Sequence, residues 1–168
     1  MFTQAIYDAL AGDRHTVVVQ NWHQLGGVGI GFKNQKGAHL RIAILLYNKA
    51  KGTVILTRQF RMPTYVNGNE DGMMIEVCAG LLDGLDPESC IKKEALEETG
   101  YKIDKVKQIF VSYMCPGAVT QKLYLFIGEY NDKMKIGEGG GAEDETENIE
   151  VLELSFNEAL DMMASGEI

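Results

Sequence analysis

This sequence is poor in cysteine and contains no long apolar run. Cys78, Cys90 and Cys115 are the only cysteines among the 168 residues, and no two of them form a C-x-x-C pair. The odd count argues against a disulfide framework, so we expect buried thiols in a reducing compartment. Because neither a signal-peptide pattern nor an apolar run of membrane-spanning length is present, we expect a cytoplasmic protein without a membrane partner.

Positive charge is also scarce. The chain carries 16 Lys and Arg against 24 Asp and Glu, which gives a formal net charge of -8 at pH 7. Because no basic stripe is present to follow a phosphate backbone, we do not expect nucleic acid to be a partner. A small anionic substrate would be repelled by the chain as a whole, so its binding would require a metal ion or local arginines. The length suits one domain with a sizeable core.

The first 40 residues show no regular pattern. Residues 16–19 resemble a strand, but glycines at positions 26, 27, 29, 31 and 37 interrupt any alternation after them. The G-x-G within this stretch lacks a following helix pattern and therefore does not predict a dinucleotide-binding turn. We treat residues 1–40 as a separate N-terminal segment, β-rich or divergent, and residues 41–168 as the domain that carries the chemistry.

From Leu40 onwards the hydrophobic pattern becomes regular. Apolar stretches between turn signals predict strands at 42–47, 53–58, 73–78, 107–113, 122–130 and 150–154. A helix is predicted near 87–99, and residues 157–164 begin a closing helix. Strands and helices mixed in this order predict an α+β fold with a mixed sheet between helices.

The helix predicted near 87–99 has clear signals at both ends. Asp86 is a favourable N-cap residue, and Pro87 suits the first helical position. Gly100 is a natural residue just beyond the last turn, where a left-handed backbone conformation ends many helices.

Three carboxylates of this helix fall at neighbouring positions on its surface. Glu94 lies three residues before Glu97 and four before Glu98, so like charges repel at a cost of roughly 0.2–0.5 kcal/mol per pair. A cation between them removes that cost, and oxygen ligands favour Mg²⁺, Mn²⁺ or Ca²⁺ over zinc. A solvated acidic helix face gives the same pattern. An apolar side that includes Ile91 and Ala95 would, however, anchor the helix and hold the acidic side in place.

The stretch 79–101 resembles the Nudix box, whose pattern is G-x5-E-x7-R-E-U-x-E-E-x-G-U with U aliphatic. Lys93 stands for the Arg of that pattern, the glutamates follow at the expected spacing, and Gly100 takes the place of the second Gly. Tyr101 replaces the last aliphatic residue. The first half departs from the pattern, since its first Glu is absent or replaced by Asp86.

Segments outside the box resemble the same family. They are similar to its GDP-mannose pyrophosphatase subfamily, and they lie at 68–70, 75–83, 112–117 and 139–145. Pro116 falls where ADP-ribose pyrophosphatases and their relatives also carry a proline. The resemblance runs from about residue 44 to residue 168 and points to hydrolases of nucleoside diphosphate sugars.

The resemblance implies a fold and a metal site. The implied fold is the Nudix α/β/α sandwich with a mixed β-sheet. The implied cofactor is Mg²⁺, or Mn²⁺ in its place. Its ligands would be the side chains of Glu94, Glu98 and Glu145 and the backbone carbonyl of Ala79.

The resemblance also implies catalytic roles for Glu97, Glu143 and Glu145. Residues 143 and 145 lie two apart in a Gly-flanked acidic loop, so one can ligate the metal while the other positions or deprotonates water. The resemblance favours Glu145 as ligand and Glu143 as base, although the roles can be exchanged. Composition alone is also typical of a flexible acidic loop without a site.

The resemblance implies that Arg61 contacts the substrate. It implies the same for three consecutive residues before the helix, Ala79, Gly80 and Leu81. Arg58 and Arg61 flank a strand end on opposite faces, and Arg recognises phosphate better than Lys does. The resemblance selects Arg61. Glu76, in the strand before the box, is predicted either as a paired carboxylate or as a site residue.

Together these features predict a metal-dependent hydrolase of a nucleoside diphosphate sugar. GDP-mannose is the substrate that the resemblance favours, with GMP and mannose 1-phosphate as products. ADP-ribose is the alternative substrate. A non-catalytic Nudix module that binds nucleotide sugars is the alternative of another class. By resemblance we also expect a homodimer.

Overall fold

The computed structural model describes residues 40–82, 84–116, 121–141 and 148–168. Within these ranges the chain forms seven strands, β1 Leu40–Asn48, β2 Thr53–Phe60, β3 Met73–Glu76, β4 Cys78–Leu81, β5 Val106–Tyr113, β6 Lys122–Glu129 and β7 Glu150–Ser155. It also forms three α-helices, α1 Met62–Val66, α2 Pro87–Thr99 and α3 Phe156–Ser165, and a short 3-10 helix at Asp132–Met134. Residues 1–39 of the N-terminal segment lie outside the described ranges, whereas Leu40, which we had placed in that segment, begins β1. The division into an N-terminal segment and a domain stays a prediction.

All seven strands belong to one mixed sheet with the order β3-β2-β1-β6-β5, to which β4 adds beside β1 and β7 beside β2. The sheet is mixed because β1 and β6 run parallel, whereas every other described pair is antiparallel. With three helices accompanying it, the sheet confirms the predicted α+β sandwich. In the described part of the chain, no helix combines the length and apolar character needed to cross a bilayer.

The core lies between the sheet and α2. Ile42 and Ile44 alternate onto one face of β1, where they meet Ile91 and Ala95 from one side of α2, and all four are fully buried. Burying an aliphatic side chain contributes roughly 1.5–3 kcal/mol relative to exposing it. This packing fixes α2 against the sheet, so the position of its acidic side is set by the core beneath it.

The predicted helix near 87–99 is confirmed as α2. The Asp86 side chain accepts a hydrogen bond of 3.0 Å from the Ser89 N–H, and Gly100 ends the helix with a φ of +76°. Glycine is required there for a second reason as well. A Cβ on Gly100 would lie 2.1 Å from the carbonyl oxygen of Gly137, which packs against the end of the helix.

Two features differ from the elements predicted from the pattern. The strand predicted at 73–78 is divided at Val77, because β3 pairs with β2 whereas β4 pairs with β1. The short helix α1 was not predicted. It begins directly after Arg61, and Pro63 lies in its first turn, where a fixed φ favours helix initiation.

The division at Val77 places the start of the box beside β1. The N-terminal half of β1 pairs with β4, so that Arg41 lies opposite Leu81 and Ala43 opposite Ala79. Only the C-terminal half of β1 pairs with β2. As a result, the residues that precede α2 are held by the sheet rather than by a loop.

Candidate active site on helix α2 and strand β4

Glu98 is a buried carboxylate that α2 holds against β4. Its side chain is 3% exposed, and its Oε2 accepts a hydrogen bond of 3.2 Å from the backbone N–H of Ala79. A buried carboxylate needs such donors, because the charged form is costly to desolvate. The N–H and C=O of a residue in an extended strand point to the same side. The Ala79 carbonyl is therefore directed towards the side of β4 on which Glu98 lies.

Glu94 packs against the backbone of Gly80. A Cβ added at Gly80 would lie 2.3 Å from Cδ of Glu94 and 2.4 Å and 2.7 Å from its two carboxylate oxygens. Glycine is needed here for space, since the carboxylate occupies the volume that any other side chain would fill. Glu94 and Glu98 thus lie against two consecutive residues of β4, as the metal prediction requires.

These residues fit a hard divalent cation such as Mg²⁺. Two carboxylates and a neighbouring backbone carbonyl are an all-oxygen donor set, and Mg²⁺ uses one or two protein carboxylates and leaves other positions to water and phosphate. Within the described ranges no group of three or more His, Cys, Asp or Glu side chains is arranged to hold a metal ion. The predicted third carboxylate, Glu145, and its neighbour Glu143 lie outside the described residues.

Glu97 is directed away from this pair and towards solvent. Its Oε2 accepts a hydrogen bond of 2.9 Å from Nζ of Lys93, one turn earlier on the helix, and its side chain is 31% exposed. The same hydrogen bond raises the pKa of Lys93 above its ordinary value. The geometry therefore separates Glu97 from Glu94 and Glu98, and its catalytic role stays a prediction.

Arg61 and Glu76 form an ion pair at the junction of β2, α1 and β3. Both Nε and Nη2 of Arg61 donate to the same oxygen of Glu76, at 2.8 Å and 2.6 Å, and both side chains are about one-third exposed (32% and 33%). Of the two alternatives for Glu76, the structure therefore shows the paired carboxylate. Arg58 differs, since it donates to Asp71 at 3.2 Å and to Glu150 at 3.3 Å.

Arg41 is a residue of this region that the sequence pattern did not indicate. It lies in β1, opposite Leu81 of β4, and is half-buried. Burial, and then the nearby charge of Arg61, lower the pKa of Arg41, whereas Glu76 raises it. The sequence did not single out Arg41 because it directly follows a segment without a regular hydrophobic pattern, residues 1–40. The predicted strand began at the next position.

The glycine-rich segment after β6 docks on the C-terminal end of α2. The N–H groups of Gly140 and Gly141 donate to the carbonyls of Glu98 and Glu97, at 2.9 Å and 3.1 Å. These bonds satisfy carbonyls that a helix end otherwise leaves unpaired. The Ile149 N–H donates to the Gly140 carbonyl at 3.3 Å, so both flanks of residues 142–147 lie beside the carboxylate helix.

Comparison with known proteins identifies a family for most of this chain. Residues 37–167 match the family model described as the NUDIX domain. A protein of Pectobacterium atrosepticum named GDP-mannose pyrophosphatase is 61% identical over 125 residues, which is 74% of this chain and 64% of the relative. A protein of the same name from Salmonella typhimurium is 60% identical over 125 residues, which is again 74% of this chain and 64% of the relative.

A third relative is similar over a longer stretch. The GDP-mannose pyrophosphatase of Yersinia pestis is 48% identical over 160 residues, which is 89% of this chain and 80% of the relative. For the first two relatives the match spans 64% of their length. These similarities confirm the resemblance that the box and its neighbouring segments indicated.

Proposed function

This chain belongs to the Nudix family, and on that premise we propose that it hydrolyses the diphosphate bond of a nucleoside diphosphate sugar. GDP-mannose is the proposed substrate, and GMP and mannose 1-phosphate are the proposed products. The names of the similar proteins support this choice of substrate. The observation that carries the proposal is the buried carboxylate of Glu98 on the Ala79 N–H, with Glu94 packed against Gly80.

The proposed cofactor is Mg²⁺, held by the side chains of Glu94 and Glu98, the carbonyl of Ala79 and the side chain of Glu145. When bound, such an ion would polarise phosphoryl oxygens, offset charge and acidify water. The contribution of the chain is to hold the ligands in place before substrate arrives. The core beneath α2 and the hydrogen bond from β4 supply this preorganisation for Glu98.

In the proposed reaction, a water oxygen attacks one phosphorus, and the bond from that phosphorus to the bridging oxygen breaks. The bridging oxygen leaves with the other phosphate. A carboxylate accepts the proton of the water, and Glu143 is the proposed base, with Glu145 or Glu97 as the other candidates. Arg61 is proposed to contact the diphosphate, since a guanidinium fork matches phosphate oxygens. Its pairing with Glu76 supports this role by fixing the orientation of the guanidinium.

Three further features of the proposal depend on the sequence. A cytoplasmic location is supported by the burial of Cys78 and Cys90, since buried thiols are the default in a reducing compartment, although the expected burial does not extend to Cys115, which is exposed. A homodimer is supported by the resemblance to the family. The choice of Mg²⁺ over softer metals is supported by the oxygen-only donor set.

The proposal is tested by following phosphate release from GDP-mannose and ADP-ribose in a phosphatase-coupled assay with Mg²⁺. We expect the native protein to hydrolyse GDP-mannose and the Glu98→Gln variant to lose this turnover. Glu88→Gln is a matched control on the same helix, because Glu88 is exposed and contacts only Lys92 among the described ion pairs.

Each outcome of this assay decides between the alternatives. Turnover of ADP-ribose alone would keep the reaction class and replace the substrate. No turnover of either compound by the folded native protein would contradict the enzymatic proposal and favour a binding module. Equal loss of turnover in the Glu88 and Glu98 variants would contradict the assignment of the metal site.

A further inference from the structure

The charges around the arginines of this region are unevenly balanced. Arg58 donates to two carboxylates, those of Asp71 and Glu150. Within the part of the chain that the structure describes, Arg41 and Arg61 are by contrast near one carboxylate, that of Glu76. Two guanidinium groups and one carboxylate leave a formal positive charge in a part of the protein that is only partly exposed. This excess occurs in a chain whose formal net charge is -8.

The one carboxylate is already engaged by Arg61. The two hydrogen bonds that Arg61 donates to it both end on Oε2 of Glu76, at 2.8 Å and 2.6 Å. Among the described residues, Arg61 and Glu76 are the charged groups that act on Arg41, and they act in opposite directions. Their effects offset each other in part, and Glu76, the carboxylate that acts on Arg41 among the described residues, is already paired with Arg61, so burial of Arg41 is only partly compensated. An anion bound from solution would offset that cost.

Arg41 lies next to the backbone segment on which the metal-site carboxylates pack. It is opposite Leu81, one residue beyond Gly80 and two beyond Ala79. Along β1 the buried Ile42 and the residues that alternate with it face α2, so Arg41 belongs to the other face of the sheet. The positive charge of Arg41 and the negative charges of Glu94 and Glu98 therefore both lie next to β4, on opposite faces of the sheet.

We propose that Arg41 is a further substrate-binding residue, whose guanidinium acts with that of Arg61 to bind the diphosphate of the substrate. This inference rests on the proposed function and adds a residue to its site. Two forked donors suit a diphosphate because its two phosphates each present oxygens that accept paired N–H groups. The arrangement also explains how an acidic protein attracts an anionic substrate, since the local charge differs in sign from that of the whole chain.

The test measures binding without catalysis, in metal-free buffer containing EDTA. Calorimetry compares GDP with guanosine as probes, because the two ligands differ only in the diphosphate. Arg41→Met keeps most of the aliphatic stem and removes the charge, Arg41→Lys keeps the charge and removes the fork, and Arg58→Ala is the control. Because a charge-assisted hydrogen bond to the diphosphate would be lost, we expect Arg41→Met to weaken GDP binding about tenfold or more, which corresponds to about 1.4 kcal/mol.

The other expected results separate binding from folding. Guanosine affinity should be unchanged in all variants, Arg41→Lys should bind GDP with intermediate affinity, and Arg58→Ala should match the native protein. If Arg41 only supports the fold, Arg41→Met and Arg41→Lys will lower the melting temperature and leave the preference for GDP over guanosine intact. That result would overturn the proposal.

The same measurements distinguish this inference from the proposed function. Failure of the native protein to hydrolyse GDP-mannose, together with a loss of GDP binding in Arg41→Met, would contradict the hydrolase and retain the diphosphate site. ADP and adenosine, measured in parallel, detect a site that prefers the other base. If the native protein binds neither GDP nor ADP more tightly than the corresponding nucleoside, the proposal is wrong.

Discussion

Alanine at position 80 would place a methyl group in the space that the Glu94 carboxylate occupies. The added Cβ would lie 2.3 Å from Cδ of Glu94, whereas carbon atoms in ordinary contact are about 3.5 Å apart. The carboxylate would therefore have to retreat by roughly 1.2 Å, the difference between those two distances. Because the clashing atoms belong to the end of a flexible side chain, the backbone of β4 can stay in place.

The displacement should affect the reaction more than the fold. Overpacking costs about 1–3 kcal/mol in a typical interior, and rotation of a glutamate side chain absorbs part of it. A misplacement of about 1 Å in a catalytic group, by contrast, can lower the rate about 100-fold. We therefore expect Gly80→Ala to fold, to require more Mg²⁺ for half-maximal activity, and to lose about 100-fold in kcat.

Gly137→Ala is the matched control for this substitution. The nearest heavy atom to a Cβ at Gly137 is the Cα of Gly100 at 3.8 Å, an ordinary contact, and no left-handed φ is present there. The assay is a Mg²⁺ titration of GDP-mannose turnover, with melting temperatures recorded for each variant. A Gly80→Ala protein with native kcat and native Mg²⁺ dependence would refute the placement of Glu94.

Two further predictions concern stability. Gly139→Ala should lower the melting temperature, because its Cβ would lie 2.4 Å from the backbone oxygen of Glu98 at a φ of +77°, a strain worth about 1–3 kcal/mol; an unchanged melting temperature would contradict the docking of this segment on α2. Burial raises the pKa of Tyr130 from 10.0 to about 12. The contribution of Tyr130 to the free energy of unfolding is therefore complete below pH 10 and is lost as the pH rises through about 12. The pKa of Lys51 is also raised to about 12, chiefly by its hydrogen bond to Asp132; because that bond does not involve Tyr130, we expect this part of the loss of stability to persist in Tyr130→Phe. Denaturant unfolding across this range should show a shallower loss of stability in Tyr130→Phe than in the native protein, and equal slopes would contradict the assignment.

The helix that carries the carboxylates could be predicted because its signals are local. Asp86 and Gly100 define its ends, and the spacing of Glu94 and Glu98 places them on one side of it. What the spacing did not separate was Glu97 from that pair. Adjacent helical positions differ by about 100° around the axis, so Glu97 reaches Lys93 and solvent while Glu98 reaches β4.

The features that escaped prediction depend on contacts between distant parts of the chain. The strand is interrupted at Val77 because β3 pairs with β2 whereas β4 pairs with β1. A hydrophobic pattern does not show which strands pair with each other. The surroundings of Arg41 depend on the pairing of β1 with β4 and on the nearby charge of Arg61, and neither is encoded in the residues next to Arg41 in the sequence. The role of Gly80 is likewise invisible in sequence, because its φ is ordinary and only the neighbouring carboxylate requires glycine.

The most direct test of the account is a measurement of metal binding to the site itself. Mn²⁺ binding followed by electron paramagnetic resonance, with competition by Mg²⁺, reports on the site without any substrate. We expect the native protein to bind Mn²⁺, Mg²⁺ to displace it, and Glu98→Gln and Glu94→Gln each to weaken binding while Glu88→Gln does not. Native Mn²⁺ affinity in the folded Glu98→Gln variant would contradict the central claim that this buried carboxylate is a metal ligand.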